Sequence, residues 1–253
     1  MYMYMYMYMY NSKKNIGIFG SCQLHLCSIF FFNEEVQQKY NINIKFSLPF
    51  YEYDTSYSIY RGKLDYSILN DLDVLIIEIN SLDNEASSEK IINYLQYKNI
   101  KIIKTFLIKF PIYPLNWSGF GENTKDYLNW NGLDKIDYKE KFKQCIENMR
   151  ENNIESDLST KITDFVKNNF NKQLLFLHSL HPTNILLYQL WKYILQHLSI
   201  NIEDNEYIFS QELLGLTWIN PFTNKMIKDL DIQFKDVIVD DQFYINRYEE
   251  NHI

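Results

Sequence analysis

The first half of the chain alternates short apolar runs with stretches of helical spacing. Ile16–Phe19 is an apolar run closed by Gly20 and predicts a strand. Gln23–Phe32 is apolar almost all round, the pattern of a buried helix. Ile42–Phe46 predicts a second strand. DVLIIEIN, Asp73–Asn80, is continuously apolar in its middle, as expected of a central strand covered on both faces. Ser87–Lys98 predicts a helix with Ser87 or Ser88 as its cap, and Ile100–Ile108 a further strand. Strands alternating with helices predict an α/β fold with a doubly wound, mostly parallel sheet flanked by helices. Beyond it the period turns helical. Two helical segments fall in Tyr138–Phe170, a loop HSLHPTN follows, and a helix covers Thr183–Leu198. Ile208–Ile253 carries no clear period. No linker rich in Gly, Pro or Ser divides the chain, so residues 13–253 read as a single α/β domain with a helical C-terminal portion.

Residues 1–12 stand apart as a low-complexity tail. Ten alternating Met and Tyr residues are too few to span a bilayer, which takes about 20. They also lack the basic start and small-residue cleavage site of a secretory signal.

Composition narrows the function. The 253 residues are 46% hydrophobic and 17% aromatic, enough for a real core. A net charge of −7 argues against a nucleic-acid binder, which would show a basic stripe. Arginine is confined to Arg61, Arg150 and Arg247, so an anionic ligand must find a local cluster of cations. The 3 cysteines form no disulfide framework, and a cytoplasmic location is the expectation. Ile, Asn, Lys and Tyr are abundant and share AT-rich codons, so the Asn content carries little structural meaning.

The chemistry gathers where a parallel sheet binds its ligands, outside the carboxyl ends of the strands. Gly20-Ser21-Cys22 closes the first strand and Asn80 closes DVLIIEIN. Cys22 at the start of a helix meets backbone N–H groups and the positive end of the helix dipole, which favour a thiolate or an oxyanion. A small buried core cysteine is the competing reading. Cys27 falls in the same apolar run and reads as core, and Cys145 has no evident partner. His181 precedes Pro182 at the start of the late helix, with Thr183 or Asn184 as cap, and is either a rigidly held base or a capping imidazole. His178 stands three residues earlier and could orient or replace it. His197 and His252 are less compelling.

Cys22, His25 and Cys27 form C-x2-H-x-C and His178 with His181 forms H-x2-H. The first set does not share one helix face, so no metal site is expected. G-x-G-x-x-G is absent, which counts against a dinucleotide oxidoreductase.

The order of these blocks resembles the SGNH (GDSL-like) hydrolase layout, in which Gly-Asp-Ser, Gly, Asn and Asp-x-x-His follow in turn. By that match Cys22 takes the place of the nucleophilic Ser, Asn80 that of the oxyanion-hole Asn and His181 that of the base. His178 takes the Asp position, a departure from the triad. Closer still, the chain resembles the WcbI-like polysaccharide-biosynthesis family, whose members carry Gly-Asn-Cys-Gln near the N-terminus and His-Pro-Ser/Thr-Asn late in the chain. Here the motifs read GSCQ, Gly20–Gln23, and HPTN, His181–Asn184, with Ser21 in place of Asn. The resemblance implies coenzyme A or acetyl-CoA as co-substrate and acetyl transfer onto a sugar or sugar nucleotide, with an amino sugar as the expected acceptor. Gly20, Ser21 and Gln23 would then border the coenzyme, and Arg61 and Lys63 would meet its phosphates, with Lys104 and Lys109 as further candidates. Transfer through Cys22 and direct attack by the acceptor both remain open, as do an esterase or deacetylase on acetylated sugars and a non-catalytic coenzyme A-binding protein.

Overall fold

A computed structural model of the chain describes residues 13–28, 32, 34–53, 62–113, 135–151, 156–200, 220–235 and 238–240. The chain clusters into two compact units, Met1–Thr105 with His197–Ile200, and Phe106–Gln196 with Asn201–Ile253.

The first unit is built on a four-stranded sheet: β1 (Lys14–Gly20), β2 (Ile42–Pro49), β3 (Val74–Glu78) and β4 (Lys101–Thr105). The order is β2-β1-β3-β4 and every ladder is parallel. The helices α1 (Cys22–Ser28) and α2 (Glu34–Lys39) lie between β1 and β2, and α3 (Ser88–Leu95) between β3 and β4. The parallel α/β layout is therefore present, with each predicted strand shifted by a few residues at its ends. The predicted helix Gln23–Phe32 is shorter than its apolar run suggests. Its α-helical part ends at Ser28, and α2 starts from two glutamates that suit a helix N-terminus.

All five residues of β3 are buried, as a strand in mid-sheet requires. Leu75 and Ile77 share a core with Phe19, Leu64, Leu69, Ile91 and Leu95, while Val74, Ile76 and Glu78 alternate onto the opposite face. β1 shifts register against β2 between Ile16 and Gly17, because Ile16 pairs with Ile44 and Gly17 with Phe46. Gly17 makes room there: a Cβ would come within 2.5 Å of Cζ of Phe46, whose ring would have to turn aside.

The second unit holds α4 (Tyr138–Glu151), α5 (Ser156–Asn169), the strands β5 (Phe176–His178) and β6 (His181–Pro182), most of α6 (Asn184–Leu198), and α7 (Asn224–Asp229). Its core is aromatic. Phe110 stacks on Phe176 at 4.8 Å between ring centroids and meets Phe142 and Phe170 at 5.6 and 5.2 Å. The Tyr113 hydroxyl, fully buried, donates to the Phe176 carbonyl at 2.6 Å.

HSLHPTN is not a loop. Its first five residues are a tight antiparallel hairpin, with His178 opposite His181 and Phe176 opposite Pro182. Pro182 accordingly lies in β6 and not at the first helical position; α6 starts at Asn184. Thr183 joins the two elements. Its amide and hydroxyl donate to the carbonyls of Leu175 and Leu174, and its own carbonyl accepts from Leu186 and Leu187.

Candidate functional site

In the order β2-β1-β3-β4 the chain leaves β1 for one neighbour and later arrives at the other. The reversal falls between β1 and β3, and ligands of open α/β sheets bind outside the carboxyl ends at such a point. Gly20 closes β1 there and Glu78 closes β3. Gly20 allows a close approach: a Cβ would lie 2.8 Å from Cβ of Leu24 and 3.1 Å from Cβ of Glu78.

Ser21, buried, links the two strand ends. Its hydroxyl donates to Oε2 of Glu78 at 2.7 Å, and its amide donates to the same oxygen at 3.3 Å. The Gln23 amide donates to Oγ of Ser21 at 3.2 Å, and the His25 amide to the Ser21 carbonyl at 3.0 Å, which closes the first turn of α1. Gln23 is fully buried and Cys22 partly exposed. Burial pushes the Glu78 carboxyl up to about 7, against the opposing pull of its Ser21 bonds.

Cys22 does not become the thiolate expected of a helix start. Burial, and then the negative charge of Glu78, push its thiol up to about 11, outweighing the backbone N–H groups of Gln23 and Cys22 that pull the other way. The helix α1, seven residues long, supplies too little field to reverse that balance.

Asn80 also lies at the carboxyl end of β3, but its carboxamide is engaged in its own loop. Oδ1 accepts from the amides of Leu82 and Ser88 at 3.2 and 3.3 Å, and Nδ2 donates to the Ala86 carbonyl at 3.2 Å. Asn80 thus caps α3 from eight residues upstream, a task that the Ser87 side chain does not perform.

The other predicted residues of this unit scatter. His25 turns to β2, where Nδ1 lies 2.9 Å from Oγ of Ser47, and so draws away from a cysteine-histidine set. Lys63 is exposed and pairs with Glu85 at 3.5 Å. Arg61 lies outside the described residues, as do His252 and the side chain of Cys27. Among the described residues no group of three or more His, Cys, Asp or Glu could hold a metal ion.

In the second unit His178 and His181 form a tilted ring pair with centroids 3.9 Å apart. Nδ1 of His178 accepts from the Leu180 amide at 3.3 Å, which fixes the neutral tautomer with its proton on Nε2. Burial, helped by the neighbouring His181, pushes His178 down to about 4, and burial lowers His181 as well. Both rings are therefore neutral at pH 7. His178 holds no charge that would stabilise an imidazolium on His181, so it does not do the work of a triad carboxylate. Cys145 is buried in α4, and burial pushes its thiol up to about 12.

Glu78 was the residue that pattern reading passed over. The signal was present: a carboxylate at the end of an otherwise apolar central run must be buried, and a buried carboxylate needs a reason.

Comparison with known proteins returns little at the level of sequence. No protein-family model matches the chain, and no curated protein matches it. Among the described residues no helix is long and apolar enough to cross a membrane. Among solved structures, the chain is similar to WcbI, described as a novel polysaccharide biosynthesis enzyme, in its native form without a disulfide bond between coenzyme A and a cysteine. The TM-score is 0.63 at 16% identity, over 89% of this chain and 81% of that one. At that identity the likeness is one of fold: this chain has an α/β architecture like that of a polysaccharide biosynthesis enzyme.

Proposed function

We propose that the protein is an acetyl-CoA-dependent acetyltransferase of polysaccharide biosynthesis, whose acceptor is an amino sugar carried on a nucleotide. The observation that carries this reading is the turn Gly20–Gln23 at the switch point of a parallel sheet, in a fold shared with an enzyme described together with coenzyme A.

The acyl end of the coenzyme suits the residues at that turn: a partly exposed thiol and a glycine that admits close approach, braced from below by a buried carboxyl. When bound, acetyl-CoA supplies an activated carbonyl. As the acceptor nitrogen bonds to that carbonyl carbon and the C–S bond breaks, the chain's part is to take a proton from the amine, to meet charge on the carbonyl oxygen and to pass the proton to the departing coenzyme thiolate. His181 is the proposed base, and its neutral imidazole is in the required state at pH 7. Backbone N–H groups of the Gly20–Gln23 turn are proposed oxyanion donors. Asn80, its carboxamide already engaged, acts by shaping the loop after β3. The protonated thiol of Cys22 favours direct attack by the acceptor over transfer through sulfur. Arg61 and Lys63 remain the proposed phosphate contacts, Lys63 by exchanging Glu85 for the coenzyme.

The test is product formation from acetyl-CoA and a panel of nucleotide-linked sugars, read by mass. A gain of one acetyl group on amino sugars is expected. Acetylation of neutral sugars alone would refute the acceptor. Acetyl-CoA hydrolysis with no acetylated product would make the protein a hydrolase, and no binding at millimolar acetyl-CoA would end the reading.

A further inference from the structure

Glu78 ends β3 with 1% of its surface exposed. A carboxylate at that depth is costly unless its oxygens are hydrogen-bonded. Oε2 is satisfied by the Ser21 hydroxyl and amide. Oε1 is equally buried and has no hydrogen-bond partner among the described residues. A glutamine would occupy similar volume and still accept from Ser21, without a charge. What glutamate adds is a titratable charge, and the turn it braces begins with Cys22.

We propose that Glu78 is a positioning residue for the Cys22 site: it pins Ser21 and, by its charge, adds to the cost that burial already places on a thiolate at Cys22. A thiolate formed beside the Glu78 carboxylate would be a second negative charge in a poorly solvated place, which Coulomb repulsion opposes. With Glu78 protonated, that opposition vanishes. The network is continuous, from the Gln23 amide through the Ser21 hydroxyl to Oε2 of Glu78. Among the described side chains, the other titratable groups on the elements packed around it are His25 of α1, engaged with Ser47, Lys14 of β1, Lys45 of β2, Lys101 and Lys104 of β4, and Glu89, Lys90 and Tyr94 of α3. The inference rests on the reading of the Gly20–Gln23 turn as the functional site. Its test uses neither coenzyme nor acceptor, so the two fail separately.

The experiment is alkylation of the full chain by iodoacetamide across about pH 5.5 to 9.5, with modification of the Cys22 peptide followed by mass. In the wild type the logarithm of the rate should rise with pH, flatten near pH 7 and rise again. The flattening arises because the proton released in that interval comes from Glu78, and the new charge holds the thiol proton on. Glu78→Gln should give one straight rise with no flattening and about tenfold faster alkylation above pH 7. Ser21→Ala removes a donor to the carboxylate and should move the flattening to higher pH. A straight wild-type profile would overturn the proposal. So would a Glu78→Gln profile that superimposes on wild type or moves to higher pH, the latter making Glu78 a base for the thiol. If Glu78→Gln does not fold, the wild-type and Ser21→Ala profiles decide the matter between them.

Discussion

His178 and His181 face each other across a two-residue turn, with ring centroids 3.9 Å apart and the amide of Leu180 donating to Nδ1 of His178. Burial disfavours a charge on both rings, and a proton on His181 would repel one on the more deeply buried His178. The pair is therefore neutral at pH 7, and His178, pushed down to about 4, stays so under mild acidification.

A pH-rate profile of product formation should show this. Its acid limb, set by His181, is expected below the ordinary histidine value of about 6.5. His181→Ala should lower kcat by about 10²–10⁴-fold with acetyl-CoA affinity nearly unchanged. Near-normal turnover in that variant would reduce the HPTN segment to a helix start. His178→Ala should be milder. By admitting water it should move the acid limb toward 6.5.

Glu78 predicts a pH-dependent stability. Its folded value, about 7, lies above its unfolded value of 4.5. The folded state therefore holds a proton between those values that the unfolded state has lost. The resulting stability is complete below pH 4.5 and is lost as pH rises through 7, a change on the order of 3 kcal/mol. His178 has the opposite sign. Its folded value, about 4, lies below the usual 6.5, so acid costs stability as pH falls from 6.5 toward 4. The two slopes offset one another in the wild type. Urea unfolding of Glu78→Gln should expose the histidine slope alone, with stability falling steadily below pH 6.5; parallel curves for the two proteins would contradict the assignment.

Gly20→Ala should destabilise the first unit. The added methyl meets Cβ of Leu24 at 2.8 Å, and that atom is fixed to the backbone of α1. A cost of about 1–3 kcal/mol is expected, read as a lower midpoint in chemical unfolding. An unchanged midpoint would mean that α1 can move away from β1 at no cost.

Asn80→Ala should cost about 1–3 kcal/mol, since it strands the Leu82 and Ser88 amides and the Ala86 carbonyl. Asn80→Asp retains the acceptor and should lose less. If thermal unfolding were unchanged in Asn80→Ala while turnover collapsed, the residue would belong to the oxyanion site and not to the loop.

The central strands were legible for a simple reason. Val74–Glu78 and Ile16–Phe19 are buried on both sides, so burial alone wrote an unbroken apolar run. Gly20-Ser21-Cys22 follows from the strand end. Three features were not legible. The His178–His181 hairpin is held by partners far away in sequence, Phe110 donating to Ser179 and Asn220 to Leu177, and nothing local announces them. The protonated state of Cys22 rests on burial and then on a carboxylate 56 residues on, while the local helix start points the other way. Asn80 looked like a catalytic amide because its position suited one; its bonds to Leu82 and Ser88 exist only once the loop has closed.

The strand order also constrains how the chain comes into being. β1 is made first and ends up in the middle, where Ile16 pairs with Val74 and Ile18 with Ile76. At about 5–20 residues per second, synthesis leaves those side chains without β3 for several seconds. No strand pair of this sheet is a local hairpin that could form early, so loop closure must come before any pairing is rewarded. During that interval the nascent chain carries Ile16, Ile18 and Phe19 uncovered, and a chaperone that recognises short apolar segments would find its target at β1.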